Sequence, residues 1–112
     1  MKRRHLQWSR LDCISDWEAL AQHAAYRVSV LAKDCRVSER QLARFFWHRK
    51  GKSTRSWLAE QQLARGAASL GRAMLVKEAA AEAGFRHPAD FIRKFIKYYG
   101  VSPTAFRAGL PT

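Results

Sequence analysis

Acidic residues are in short supply: nine Asp and Glu stand against 21 Lys and Arg in 112 residues, for a formal charge of +12. Such an imbalance favours a polyanionic partner and argues nothing about fold, so nucleic acid, an anionic membrane surface and an acidic protein all start as candidates. Cysteine is scarce as well. Cys13 and Cys35 lack CxxC or Cys/His spacing, so neither a zinc site nor a disulfide framework is indicated, and no cofactor or metal is expected. Both read as reduced thiols, with Cys35 a small core residue on its helix. Neither has the neighbouring acid or His pattern of an activated nucleophile, which argues against an enzyme. Long apolar runs are missing too: none nears the ~18 residues that cross a bilayer, and the Met1-Lys2-Arg3-Arg4 start lacks the apolar stretch of a secretory signal. The basic residues are spread over several short helices instead of one long polar face, which argues against a membrane-active helix. The chain reads as cytosolic.

What is present is a core. Apolar residues make up 47 percent of the chain, with six Phe and four Trp, too rich for a disordered basic tail and suited to one compact unit. Residues 1–12 are basic and aperiodic and read as a loose lead-in. Ser15 is expected to cap a first helix, with Asp16 and Glu18 in its first turn and Trp17, Leu20, Ala21 and Ala24 at helical spacing. Val28, Leu31, Ala32 and Cys35 give a short second helix, entered from Arg27 without a capping side chain and broken at Arg36 and Val37. Ser38 then caps a third, which runs to Lys50 and stops at Gly51. Its core face is Leu42, Phe45 and Phe46, while Glu39, Arg40, Ala43 and Arg44 fall on other faces. Trp47 is expected to pack on the core, ahead of a sugar-phosphate contact or an exposed patch. From Ser53 or Thr54 to Leu70 runs a longer, proline-free pattern, predicted to end early or bend near Gly66. After a turn over 71–75, Val76, Ala79, Ala80 and Ala83 line a fifth helix, and Gly84 supplies a left-handed turn. Pro88 opens the sixth, with Phe91, Phe95 and Ile96 on its apolar face, and Ser102 with Pro103 opens the last, whose Phe106 packs back.

The two halves repeat. Val28, Ala32 and Cys35 match Val76, Ala80 and Ala83 at an offset of 48, and Leu42, Arg44, Phe46, Gly51 and Ser53 match Phe91, Arg93, Phe95, Gly100 and Ser102 at an offset of 49. Any two amphipathic helices share apolar period, but here stop residues, a basic outer position and turn lengths coincide as well, so duplication is the better account. A connector of roughly 17 residues at 1.5 Å per residue is about 26 Å long. With the helix bodies added, it could set two helices about 34 Å apart, one turn of B-DNA, so that one chain reads an asymmetric site as a monomer.

Over residues 15–108 the chain resembles the DNA-binding domain of the AraC/XylS family of bacterial transcription regulators. VKEAAAEAGFRHPADFIRKFIKYYGVSPTAFR is similar to the family's signature, and VSERQLARFFWHRKGKS to its first recognition helix and the stop after it. The resemblance implies an all-α fold: a seven-helix bundle in which two homeodomain-like helix-turn-helix subdomains, 15–52 and 72–112, are joined by a connector helix over 53–71, after a lead-in over 1–14. It implies binding to double-stranded promoter DNA in the cytoplasm, at the nucleoid, and commonly recruitment of RNA polymerase. Ala79 and Gly66 depart from the family's larger residues, so the second subdomain and its connector are expected to pack less tightly.

Carried over residue by residue, the base-reading positions are Arg40, Ala43 and Arg44 on the first recognition helix, and Ala89, Asp90 and Arg93 on the second. Arginine can bond bidentately to guanine O6 and N7, whereas Ala89 offers at most an apolar contact with a thymine methyl. Asp90 could accept from a cytosine amine but is expected to cap its helix. Backbone contacts are expected from Ser38, Lys52, Thr54, Arg86, Lys94, Lys97 and Ser102, helped by helix N-termini, and His87 is a further candidate that solvation alone would explain. The first half is therefore expected to carry more of the specificity. Met1 with a short lead-in suits a stand-alone regulator controlled by abundance or a partner, as well as the C-terminal piece of a longer one. The remaining readings are a helix-turn-helix that docks a protein, and a generic DNA-binding module without an operator of its own.

Overall fold

The computed structural model describes residues 11–108. Seven helices and no strand lie between residues 17 and 107: α1 (Trp17–His23), α2 (Val28–Asp34), α3 (Glu39–Lys50), α4 (Thr54–Gly71), α5 (Val76–Glu82), α6 (Pro88–Tyr99) and α7 (Pro103–Arg107). The chain divides into two compact units, one ending at Ala59 and the other beginning at Glu60, so the division falls within α4.

Capping chemistry sets most of the boundaries. Ser38 accepts from the Gln41 amide at 3.0 Å while the Gln41 side chain accepts from the Ser38 amide at 2.9 Å, a reciprocal capping box that starts α3. Gly51 and Gly100, at φ 68° and 81°, close α3 and α6 in the left-handed region where an L side chain is strained. Ser102 caps α7, and α2 begins after Arg27 with no side-chain cap. The start of α1 differs from expectation: Asp16, not Ser15, accepts from the Ala19 amide at 3.0 Å, which also puts a carboxylate on the positive end of the helix. The expected lead-in lies largely outside the described residues. Its described end is not loose, because Leu11 and Asp12 are helical and Leu11 is buried in the core.

The first unit is held by an aromatic cluster. Trp17 from α1 lies 5.7 Å from Phe45 and 5.2 Å from Phe46 on α3, and 6.2 Å from Trp57 on α4. Leu31 and Ala32 from α2 and Cys35 just after it complete the floor, with Leu42 from α3. Burial pushes the Cys35 thiol up from its ordinary value, and Asp34 pushes it the same way, which keeps it protonated and inert.

The second unit repeats the device with Phe91 and Phe95 of α6 against Ala79 and Ala80 of α5 and Leu63 and Leu70 of α4. Phe85 and Phe106 pack at its margins, 5.3 Å from Phe91 and 5.4 Å from Phe95. Two arginines fasten the chain here. Arg65 donates to the Glu82 carbonyl at 3.1 Å and to its carboxylate at 3.0 Å, and Arg107 donates to the carbonyls of Met74 at 2.8 Å and Ala73 at 3.2 Å. Free carbonyls at the end of α5 and in the turn after α4 are thereby satisfied.

α4 neither ends nor bends near Gly66, contrary to the sequence expectation; it is continuous for 18 residues. Gly66 is buried, and a Cβ there would lie 2.8 Å from Cζ of Phe91 and closer still to its Cε1. Glycine thus marks a close approach of α6 to α4, and with Ala79 wholly buried the unit is tightly packed where looseness was expected. Gly66→Ala gains about 1 kcal/mol in helix propensity but overpacks against the fully buried Phe91 ring, a cost of roughly 1–3 kcal/mol. We expect net destabilisation of about 1 kcal/mol in urea unfolding followed by circular dichroism, partly reversed by adding Phe91→Leu. A more stable Gly66→Ala would contradict the close approach.

Candidate nucleic-acid interface

Each unit presents one helix-turn-helix. In the first, α2 and α3 are joined by four residues, Cys35 to Ser38; in the second, α5 and α6 are joined by five, Ala83 to His87. That one-residue difference is the step from offset 48 to offset 49. Gly84 takes φ 84° in the second turn, and its counterpart Arg36 takes φ 60° in the first, so the same backbone shape is built once with glycine and once without. The recognition helices α3 and α6 are each 12 residues long and bury equivalent side chains, Leu42 and Phe46 in one, Phe91 and Phe95 in the other. Burying an i, i+4 pair fixes the opposite face outward.

On α3 that outward face carries Arg40 and Arg44, both exposed, and neither makes an ion pair among the described residues. Ala43 is half-buried beside them. Arg49, further along, donates to both carboxylate oxygens of Asp12 at 2.9 and 2.8 Å, and this bond raises its pKa further. Lys50 lies 5.5 Å from the centre of the Trp57 ring. Arg40 and Arg44, the two expected to read bases, thus have neither an anionic partner nor a ring contact among the described residues.

Trp47 does not pack on the core. It is 60% exposed, because the core face of α3 is already filled by Leu42, Phe45 and Phe46. Thr54 also departs from expectation. It is only 3% exposed, its hydroxyl is enclosed without a hydrogen-bond partner, and the cap of α4 is Ser53, which accepts from the Ser56 amide at 3.0 Å. The side chain at the surface of this helix start is therefore Ser53, beside half-buried Lys52. A shallow groove of about 330 Å³ lies near the same helix starts, lined by Tyr26, Arg27, Val28, Ser29, Glu39 and Arg55. Sequence reasoning missed Arg55 and Arg27 as candidate phosphate ligands; the signal was their position in the first turns of α4 and just before α2.

On α6 the arrangement is different. Asp90 does not cap the helix: His87 occupies the cap position without a side-chain bond, and the Asp90 carboxylate instead takes the Arg93 guanidinium at 2.6 Å. The i, i+3 spacing puts the two side chains on one face, where a short charge-assisted bond outcompetes a cap. Arg93 is thereby held near its own helix by a group that repels phosphate. Lys94 leans over the Phe85 ring at 5.9 Å, while Arg86, His87, Ala89 and Lys97 are exposed. Ile96, assigned to the apolar face by periodicity, is 44% exposed, since Phe91 and Phe95 fill that face. Ser38 and Ser102 stand at helix starts with their hydroxyls engaged as caps.

A chain with two such units falls in the class of double helix-turn-helix DNA-binding proteins. A family model described as a helix-turn-helix domain matches residues 31–109, and the chain belongs to that family, the AraC-type DNA-binding transcription regulators. Among solved structures it is similar to the C-terminal domain of the two-component response regulator yesN from Fusobacterium nucleatum, with a TM-score of 0.68 and 24% identity over 83% of this chain and 99% of that one. At that identity the likeness speaks for the fold. Comparison with curated proteins gives no match. No helix among the described residues is long and apolar enough to cross a membrane, and no group of three or more His, Cys, Asp or Glu is placed to hold a metal ion.

The Asp90–Arg93 pair makes a quantitative prediction. Asp90→Asn removes a charge that opposes phosphate and releases Arg93, so binding to any duplex should tighten, and the slope of log K against log salt should steepen by about 0.9, one phosphate's worth. Titration at several salt concentrations checks this. An unchanged slope would mean that Arg93 stays off the phosphates.

Proposed function

We propose that this chain is a sequence-specific regulator of transcription that binds one asymmetric operator as a monomer, with α3 and α6 entering successive major grooves. The observation that carries this reading is the repeated recognition helix with a basic residue at the same outward position, Arg44 and Arg93. The formal charge of +12 supports a polyanionic partner.

The two helices divide the work. α3 offers two arginines without an ion-pair partner, each with a fork that fits guanine O6 and N7. α6 offers Ala89 and a paired Arg93, so its unit contributes mainly orientation, through Arg86, Lys94, Lys97, Ser102 and the exposed turn at His87, while Ser38 and Lys52 are backbone contacts of the first unit. The helix starts at Ser53 and Ser102 add backbone N–H groups suited to phosphate. Recruitment of RNA polymerase follows as the family's common mode of action and assigns no surface here. A reading as a protein-docking module has less support, because the exposed apolar residues of α3 and α6, such as Trp47 and Ile96, stand among cations, Arg40 and Arg44 on α3 and Arg93, Lys94 and Lys97 on α6.

The experiment is selection of duplexes from a randomised pool, followed by titration of the enriched site and a scrambled control. Arg44→Ala should cost about 1–3 kcal/mol on the enriched site and relax one base position, whereas Lys97→Ala should weaken both duplexes alike and lower the salt slope by about one unit. Identical behaviour of the two variants on both duplexes would refute the division between reading and positioning.

A further inference from the structure

Among the exposed apolar side chains, one pair occupies the same place on the two recognition helices. Trp47 on α3 and Ile96 on α6 are 60% and 44% exposed, because the buried face of each helix is already filled. They are not unrelated. The offset of 49 that superimposes Leu42 on Phe91 and Arg44 on Arg93 also superimposes Trp47 on Ile96. The same exposed position in both copies of the repeat is therefore apolar.

Helical geometry says what that position faces. Arg40, Arg44 and Trp47 lie at i, i+4 and i+7, one stripe on α3, and Ala89, Arg93 and Ile96 lie on the same stripe of α6. Whatever Arg44 and Arg93 meet, Trp47 and Ile96 meet one turn further along. A protein-docking patch would be contiguous and apolar. Here cations interrupt the apolar surface: Arg44 and Lys50 lie three positions either side of Trp47, and Arg93 and Lys97 lie beside Ile96, whose exposed apolar neighbour one turn on is Tyr99. The partner that matches an apolar point within a cationic stripe is a major-groove edge, where the thymine 5-methyl group is the apolar feature among phosphates and polar base edges.

We propose that Trp47 and Ile96 are a matched pair of apolar reading positions, each closing on a thymine 5-methyl group one helical turn beyond Arg44 and Arg93. This rests on the reading of the chain as a sequence-specific DNA binder. It changes the balance between the units, since α6 then carries a base-reading contact of its own despite the pairing of Arg93 with Asp90. It also adds specificity without charge. Neither side chain neutralises a phosphate, so both act on sequence preference and leave the counterion release untouched.

The test uses the duplex enriched by the wild-type chain from a randomised pool, with its thymines replaced one at a time by deoxyuridine, which lacks only the methyl group. Wild type should lose about three- to tenfold in affinity at one thymine in each contact block, the order of one buried methyl group. Trp47→Ala should abolish the penalty in one block and Ile96→Ala in the other, both with the wild-type salt slope. Because both residues are exposed, the variants should keep the wild-type circular dichroism and melting temperature. Penalties that persist unchanged in the variants, or no penalty in wild type, would overturn the assignment while leaving the chain a specific DNA binder. Variants with wild-type affinity and thymine preference would do the same and would move the two residues to a protein contact. Failure of wild type to enrich any duplex would remove the DNA reading itself and this inference with it.

Discussion

The interaction on which everything else depends is the burial of two side chains, four residues apart, on each recognition helix. Leu42 and Phe46 do this in the first unit, Phe91 and Phe95 in the second, and all four are fully buried. A helix anchored by an i, i+4 pair has no rotational freedom about its own axis, so the residues on the opposite stripe are aimed by the core and not by their own interactions. Arg40 and Arg44 therefore stay outward without an acidic partner to hold them. The remaining helices serve this anchoring: Trp17 and Trp57 close over Phe46 from α1 and α4, and Phe106 closes over Phe95 from α7. Aromatic pairs of this kind add about 0.5–1.5 kcal/mol each beyond the area they bury, which matters in units this small.

The same anchoring explains a difference between the copies. The second unit has an α5 rich in alanine, and its small residues let α6 come close. Close approach to α4 then requires Gly66, because the Phe91 ring occupies the space of a side chain. The first unit is filled instead by larger rings, with Phe45, Phe46, Trp17 and Trp57 in one cluster. One backbone device is thus packed in two ways.

Local chemistry is what the sequence made legible. The Ser38 and Ser102 caps, the left-handed stops at Gly51 and Gly100, the turn at Gly84 and the helical periods all follow from residues near in sequence, and the helices appear where these predicted them. The misreadings share one cause, dependence on a partner distant in sequence or on competition for limited space. Trp47 and Ile96 have core-like chemistry, but the core faces of their helices were already full. Gly66 looked like a helix breaker until the Phe91 ring supplied the reason for it. Thr54 looked like a surface cap, whereas Ser53, one residue earlier, takes that role and Thr54 turns inward. The Asp90–Arg93 pair was within reach of i, i+3 spacing, but the cap preference of Asp outweighed it in the reading. On the candidate site, the sequence placed Arg40 and Arg44 correctly on the outward face and did not reveal which basic residues are already occupied.

The central claim is that one chain engages DNA through both units. Hydroxyl-radical footprinting of the selected duplex, with the bound mass measured in parallel, tests it most directly. The account predicts two protected blocks about one helical turn, roughly 10 base pairs, apart on one face, produced by a single bound chain. A single protected block, or protection that appears only when two chains are bound, would contradict it.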